Sequence, residues 1–307
     1  MKSILITGGT GLIGSALSNF LFKLNYKVFH LSRKKKSTSP GYKNYYWDVE
    51  NNQLDYNILK NKDIIIHLAG EPIAKKRWTK KQKSIINNSR ILSTSLLYES
   101  IKKLDVKPQL IIAASAIAIY PHNTSNKMTE NNQNLSSNFL VNVVKNWEKE
   151  IKKFSKIGIR LVIIRIGVVL SLKGGMLGKL FLPFKLGLGF PIGSGNQTIS
   201  WIHIEDLNRM INHFIQYKNL NGTFNAVSPV PVSNSFFSKT FSQLLMRDFF
   251  FNIIRIPSFI IRLFYGEMSD LILKGHNVSS AKITNSNFRF KHENIREAIL
   301  DLLKRKV

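Results

Sequence analysis

The residues with the clearest chemical signature stand near the start of the chain. Thr7-Gly8-Gly9-Thr10-Gly11-Leu12-Ile13-Gly14 fits G-x-G-x-x-G through Gly9, Gly11 and Gly14, and the shifted G-x-x-G-x-x-G through Gly8, Gly11 and Gly14. It follows the apolar run 3–7 and opens a segment, 14–24, with apolar residues at helical spacing (Leu17, Phe20, Leu21, Leu24). A phosphate-binding turn needs glycine for three reasons: the tight turn itself, close approach of backbone to a pyrophosphate, and close packing of helix on strand. The amides and positive dipole end of the helix then face the phosphates. Gly8, Thr10, Gly11, Leu12, Ile13 and Gly14 are therefore the first expected binding residues. The plainer reading is a structural turn; the strand–turn–helix context favours the phosphate loop.

The second apolar run, 28–31, ends in Ser32-Arg33-Lys34. An NAD-binding chain usually carries Asp or Glu at this place, about 20 residues past the glycines, to bind the ribose 2′-hydroxyl. A carboxylate there repels a 2′-phosphate, whereas Arg33 can grip one with its fork and Ser32 can donate to it. The expected cofactor is NADP(H), against the plainer reading of a solvated basic turn after a strand.

Such groups need a sheet to hold them. The spacing predicts further strands at 45–49, 63–68, 109–114 and 160–166, with helices over 79–103 and 139–155 between them. Strands alternating with helices imply an α/β fold: a doubly wound, Rossmann-type parallel sheet. From about 174 the texture changes. The segment 174–195 is rich in Gly, Pro and Phe and reads as an irregular lobe, and 230–307 carries two or three helical patterns, the last at about 294–304. The expected organisation is a Rossmann domain over 1–230, with a lobe insertion at about 174–200, and a smaller helical C-terminal domain over 231–307. The polar stretch 123–138 reads as a surface loop.

Composition excludes several classes. The chain has 307 residues with 44% apolar and 21% charged, and contains no cysteine, so disulfides, zinc–thiolate sites and thiol nucleophiles are ruled out. No metal site is expected. No run reaches the roughly 18 apolar residues of a membrane span; the best, 162–172, contains Arg165. No targeting segment is read, and the expected setting is cytoplasmic with no membrane partner. The net charge of +27 suits nucleic acid, but the basic residues are spread along the chain and Lys, Asn and Ile are all abundant. We read the charge as compositional drift and expect no nucleic-acid partner. The sequence assigns no oligomeric state.

At this point the residues resemble a known family. Thr7 to Gly14, Asp48, His67-Leu68-Ala69-Gly70 and Ala113-Ala114-Ser115-Ala116 look like an extended short-chain dehydrogenase/reductase. Ala69-Gly70-Glu71-Pro72-Ile73-Ala74, Arg77-Trp78, Ser89-Arg90, Trp147-Glu148 and Arg165 to Leu170 are similar to its epimerase-like atypical branch. So are Gly174-Gly175, Pro183-Phe184, Gly193-Ser194-Gly195, Ser200 to Ile204 and Gly266-Glu267, across essentially the whole chain. That branch carries a small C-terminal domain of unknown function. The resemblance implies an NADP-type cofactor lined by Ser32, Arg33, Leu68, Ala69, Gly70 and Arg90, with Asp48 near the adenine and Val169 near the nicotinamide. It also implies a small-molecule substrate bearing a hydroxyl or carbonyl, which it does not identify.

The catalytic pattern of that larger group departs here. Active short-chain reductases use Ser after strand five and Tyr and Lys in Y-x-x-x-K on the next helix, the Lys lowering the pKa of the proton-transferring Tyr. Ser115 matches the first position, but alignment on Trp147-Glu148 puts Leu140 and Val144 at the other two, and a shift by one offers Phe139 and Val143. Lys145 is one position from the expected Lys. Tyr56 to Lys60 and Tyr98 to Lys102 have the right spacing on the wrong elements. Substitute acid–base groups are Glu71, Tyr120 and His203. Glu71 follows strand four, as a general acid, a substrate ligand or an ion-pair partner of Arg77. Tyr120 lies in Ala118-Ile119-Tyr120-Pro121, where family members have Gly-Tyr-Tyr-Gly. His203 is read first as a core histidine linking two lobes and also as a candidate proton shuttle. An enzyme expects Glu71, Ser115 and His203 to converge on one crevice, and an apolar substrate pocket is expected among Phe181, Pro183, Phe184, Leu188, Phe190 and Trp201. The alternative function is a non-catalytic NADP(H)-binding sensor or regulatory protein.

Overall fold

Apolar runs buried on both faces build the centre of the molecule. The computed structural model describes residues 1–33, 42–122, 124–132, 138–247 and 254–305; Lys34 and most of the basic cluster around it, and part of the polar loop 123–138, lie outside these. Its strands in chain order are Ser3–Thr7 (β1), Lys27–Ser32 (β2), Lys43–Tyr46 (β3), Ile64–His67 (β4), Leu110–Ala116 (β5) and Arg160–Ile166 (β6), then Val168–Leu170 (β7), Thr198–Ile199 (β8), Trp201–His203 (β9), Gly222–Ala226 (β10) and Val232–Ser233 (β11). Seven of them form one sheet in the order β10-β6-β5-β4-β1-β2-β3, every pair parallel. Strand order reverses between β1 and β4, so the binding crevice of this doubly wound fold opens at their C-terminal ends.

Alternate residues of each strand feed opposite layers. Ile4 and Ile6 pack with Leu17 and Leu21 of α1 (Leu12–Lys23) and with Leu207, Met210 and Phe214 of α5 (Ile204–Gln216). Leu5 packs on the other face with Leu97 and Ile101 of α2 (Lys80–Lys102) and Trp147 and Ile151 of α3 (Phe139–Ile151). A third core joins α4 (Gly175–Lys185), α6 (Asn234–Leu244) and α10 (Ile295–Lys304) around Phe184, Trp201, Phe237 and Phe241. The short helices α7 (Ser258–Tyr265), α8 (Asp270–Leu273) and α9 (Ala281–Thr284) complete the C-terminal part. Among the described residues no helix is long and apolar enough to cross a membrane.

Several elements differ from the sequence reading, which did not assign α5 or the short strands β7, β8, β9 and β11. The third strand lies at Lys43–Tyr46 rather than 45–49, because its ladder with β2 ends at Ser32–Tyr46 and Asp48 turns the chain onto Gln53. The helix expected over 139–155 is α-helical only to Ile151, then tightens into the 3₁₀ turn Lys152–Ile157 and stops at Gly158, which has φ +81°. The glycine-rich segment 174–195 contains α4, with Pro183 inside it. The seventh sheet strand, β10, carries no clear strand pattern: Gly-Thr-Phe-Asn-Ala is short and interrupted by polar residues, and it becomes a strand by pairing with β6.

Candidate functional site

The glycine loop closes on itself in a way only glycine allows. Gly8 has φ +70°, and a Cβ on it would stand 3.0 Å from the carbonyl of Leu68. A Cβ on Gly14 would stand 2.3 Å from the Gly8 oxygen. Gly11 is the N-cap of α1, and no side chain caps that helix, so its first amides are left for an anion. The loop is a cradle that extra atoms would fill, with the donor set that a pyrophosphate requires.

The tip of β4 is locked to this loop by a directional chain of hydrogen bonds. Thr7 Oγ1 accepts from the amides of Leu68 and Ala69, 3.1 Å each, and lies 2.8 Å from His67 Nδ1. His67 Nε2 lies 3.0 Å from Thr94 Oγ1, which donates to the Arg90 carbonyl at 2.6 Å. Full burial lowers the His67 pKa to about 4, so the ring is neutral and the chain runs from the hydroxyl of Thr7 through Nδ1 to Nε2–H. Arg90 then sits behind Gly70: its guanidinium donates to the carbonyls of Ile86 and Glu71 and covers the Trp147 ring. Burial lowers its pKa to about 10 against the pull of Glu71.

Ser32, Arg33, Leu68, Ala69, Gly70 and Arg90 are thus gathered at the C-terminal edge around the loop. Asp48 forms its own turn, accepting from the Asn51 amide and side chain, which hold its pKa below the usual carboxylate value. Val169 sits on β7, and its carbonyl, like Leu12, packs against Gly175.

The expected acid–base groups are not brought together. Glu71 pairs with Arg33 and Lys75, 3.8 Å each, not with Arg77, which lies against Gly266. Ser115 donates to Glu148 Oε1 at 2.6 Å. Glu148 in turn takes Arg165 in a two-point bond, Nε to Oε1 at 2.8 Å and Nη2 to Oε2 at 2.9 Å. Tyr120 is fully buried; its hydroxyl donates to Asn225 Oδ1 and accepts from Arg165, both at 2.8 Å. Burial opposes the Arg165 charge, but the bonds to Glu148 outweigh it and raise the pKa. Ser115 and Tyr120 are therefore members of one buried network.

His203 lies elsewhere again. It caps α5, its Nδ1 accepting from the Glu205 amide at 3.1 Å. Its ring is 3.9 Å from that of His292, and its Nε2 is 3.3 Å from Asp301 Oδ2 on α10. Metal-ligand atoms of His203, Glu205, His292 and Asp301 stand within 4.8 Å of one another. However, an Nδ1 that accepts a hydrogen bond leaves the proton of the neutral ring on Nε2. That nitrogen stands 3.3 Å from Asp301 Oδ2 with no hydrogen bond between them, and Lys291 and Arg305 already pair with the carboxylates. Burial, then His292, lowers the His203 pKa to about 3.

A cavity of about 190 Å³ opens beyond the ends of β5 and β6, where Ala116, Ile166 and Val168 face Trp78, Phe139 and Leu271. Leu140 lines it, and Val144 is buried beneath, so the positions that would hold Tyr and Lys are apolar. The acid–base groups on its wall are His122 and His276, with ring centroids 4.5 Å apart, alongside Glu267, Asp270 and Lys274. Nδ1 of each histidine is buried without a hydrogen-bond partner. Burial, then His122, lowers the His276 pKa to about 4; burial, then Lys274, lowers that of His122. The lobe residues expected to form a pocket do not line this cavity: Phe184 and Trp201 are core, and Leu188 is exposed.

Residues 4–226 match the NAD dependent epimerase/dehydratase family. The chain belongs to that family. Residues 256–302 match a domain of unknown function, DUF1731. An epimerase family protein of Staphylococcus aureus is 36% identical over 304 residues, covering 99% of this chain and 100% of its own. A relative of that description in Staphylococcus epidermidis is 36% identical over 305 residues, with the same coverage. The human epimerase family protein SDR39U1, solved with NADPH, superposes with a TM-score of 0.86 at 29% identity, covering 98% of this chain and 99% of that one.

For this member of the epimerase/dehydratase family, sequence reasoning missed the two histidines on the cavity wall. His122 carried a signal, being a titratable group two positions past Tyr120 in the loop after β5. His276 carried none, because the C-terminal part brings it to the cavity from far along the chain. The ion-pair role of Glu148 was also missed, although it shares α3 with the absent Tyr and Lys.

Proposed function

We propose that this chain is an NADP(H)-dependent oxidoreductase or epimerase-like enzyme acting on a small hydroxyl- or carbonyl-bearing substrate in the cavity beside β5 and β6. The observation that carries the reading is the relation of two places on one sheet edge. The uncapped glycine loop at β1 and the cavity at β5 and β6 lie on either side of β4, across the switch point that a dinucleotide spans. The human relative solved with NADPH supports the cofactor, and Arg33 with Ser32 at the end of β2 supports the phosphorylated form. When bound, a nicotinamide supplies or takes up hydride.

The chain's own residues divide the remaining work. Amides at the start of α1 hold the pyrophosphate, and Arg33 and Ser32 hold the 2′-phosphate. Trp78, Phe139, Leu140 and Val168 exclude water from the reacting centre. His122 and His276, kept neutral by burial, are the titratable rings on the cavity wall that would exchange a proton with a substrate hydroxyl. Ser115, Glu71, His203 and Tyr120 do not line the cavity and take no part in the proton step of this reading. The reading includes a cytoplasmic setting, where a reduced nicotinamide pool is at hand.

The second reading, an NADP(H)-binding sensor without turnover, is favoured by Leu140 and Val144 at the Tyr and Lys positions. Fluorescence titration with NADPH and NADH, followed by a screen of carbonyl compounds for NADPH oxidation and of alcohols for NADP⁺ reduction, separates the two. Preference for NADPH with turnover supports the enzyme. Tight binding with no turnover across the screen supports the sensor, and lack of binding removes both.

A further inference from the structure

Arg33 and Glu71 stand just past the ends of β2 and β4, the two neighbours of β1 in the sheet. Their 3.8 Å ion pair therefore crosses above the end of β1, where the glycine loop turns into α1. Glu71 is fixed there through its backbone: its amide donates to Ser89 Oγ at 2.9 Å, and its carbonyl accepts from Arg90 at 3.1 Å. Its side chain is 13% exposed, whereas those of Arg33 and Lys75 are 64% and 62% exposed. The carboxylate is the anchored partner and the two cations are the movable ones.

We propose that Glu71 is a specificity-determining residue, an internal competitor that tunes how strongly the site prefers a phosphorylated ribose. The inference rests on the NADP(H) reading above. A 2′-phosphate drawn to Arg33 must take the guanidinium from Glu71 and then lie close to a fixed carboxylate of like charge. A ribose 2′-hydroxyl meets no such repulsion and finds an acceptor instead. Glu71 thus weakens the phosphorylated cofactor and spares the unphosphorylated one. It also keeps the Arg33 charge neutralised between binding events, in a chain whose net charge is +27. The device differs from the usual acidic residue at the end of the second strand, because here the carboxylate reaches the ribose site from the fourth.

The test uses the adenosine halves, 2′,5′-ADP and 5′-ADP, titrated calorimetrically against the wild-type chain, Glu71→Gln and Glu71→Ser. The expected result is a wild-type preference for 2′,5′-ADP that grows about threefold to tenfold in both variants through tighter 2′,5′-ADP binding, the scale of a partly exposed charge interaction. 5′-ADP affinity should stay level in Glu71→Gln. A wild-type preference that both variants leave unchanged or reduce overturns this proposal and leaves the cofactor reading standing. A wild-type chain with no preference for 2′,5′-ADP overturns the cofactor reading, and this proposal with it.

Discussion

Ser115 gives its hydroxyl hydrogen to Glu148, the same carboxylate that holds Arg165 by two bonds beneath the end of β5. A serine in the position of a reductase catalytic residue is thereby bound into a buried ion pair. Ser115→Ala leaves the two-point pair intact and should cost about 1 kcal/mol of stability, with turnover retained. Glu148→Ala strands a buried guanidinium and should cost about 3–5 kcal/mol. Urea denaturation and turnover assays check both; lost turnover at unchanged stability in Ser115→Ala would return Ser115 to the reacting groups.

On the proposed reading, Arg33 at the end of β2 holds the 2′-phosphate. Arg33→Asp should weaken NADPH binding by about 1–3 kcal/mol and shift preference toward NADH. Fluorescence titration reads this directly, and unchanged NADPH affinity would mean that the 2′-phosphate binds elsewhere.

His122 and His276 should separate chemistry from cofactor binding. Their replacement, His122→Phe or His276→Gln, is expected to lower turnover about 100-fold or more while NADPH affinity stays within about twofold of wild type, since neither residue lies near the glycine loop. Variants that keep turnover would assign the proton transfer to another group.

Acid should destabilise the fold through its buried histidines. The His67 pKa is about 4 in the fold against an ordinary 6.5, so below pH 6.5 the unfolded chain takes up a proton that the folded chain refuses. Its contribution, up to about 3 kcal/mol, is complete above pH 6.5 and is lost as pH falls toward 4. His276 and His203 act in the same direction. Urea midpoints at pH 7.5, 6 and 5 should fall in that order, and His67→Gln should show a shallower fall; an equal fall would remove His67 as a cause.

Much of the cofactor end is legible in the sequence. The glycine spacing, the helical period from Leu17 to Leu24 and the run Ser32-Arg33 are all local, and each constrains backbone within one or two turns. The groups around the cavity are not legible in this way. Ser115 and Tyr120 have the right chemistry, but which neighbours their hydroxyls meet depends on the register of α3 against β5 and on β10 bringing Asn225 alongside. The lobe aromatics read equally as pocket or core, because burial against α6 and α10 is decided by residues far along the chain.

By itself, then, the sequence determined the alternation of strands and helices, the phosphate-binding turn and the lack of Tyr and Lys at positions 140 and 144, since these follow from spacing and side-chain type. Only the tertiary structure decided that Glu71 meets Arg33, that His122 meets His276 and that Ser115 meets Glu148. Those pairs join segments far apart in the chain. Their contacts are set by strand order and by which face of each helix is buried, and no local spacing encodes either.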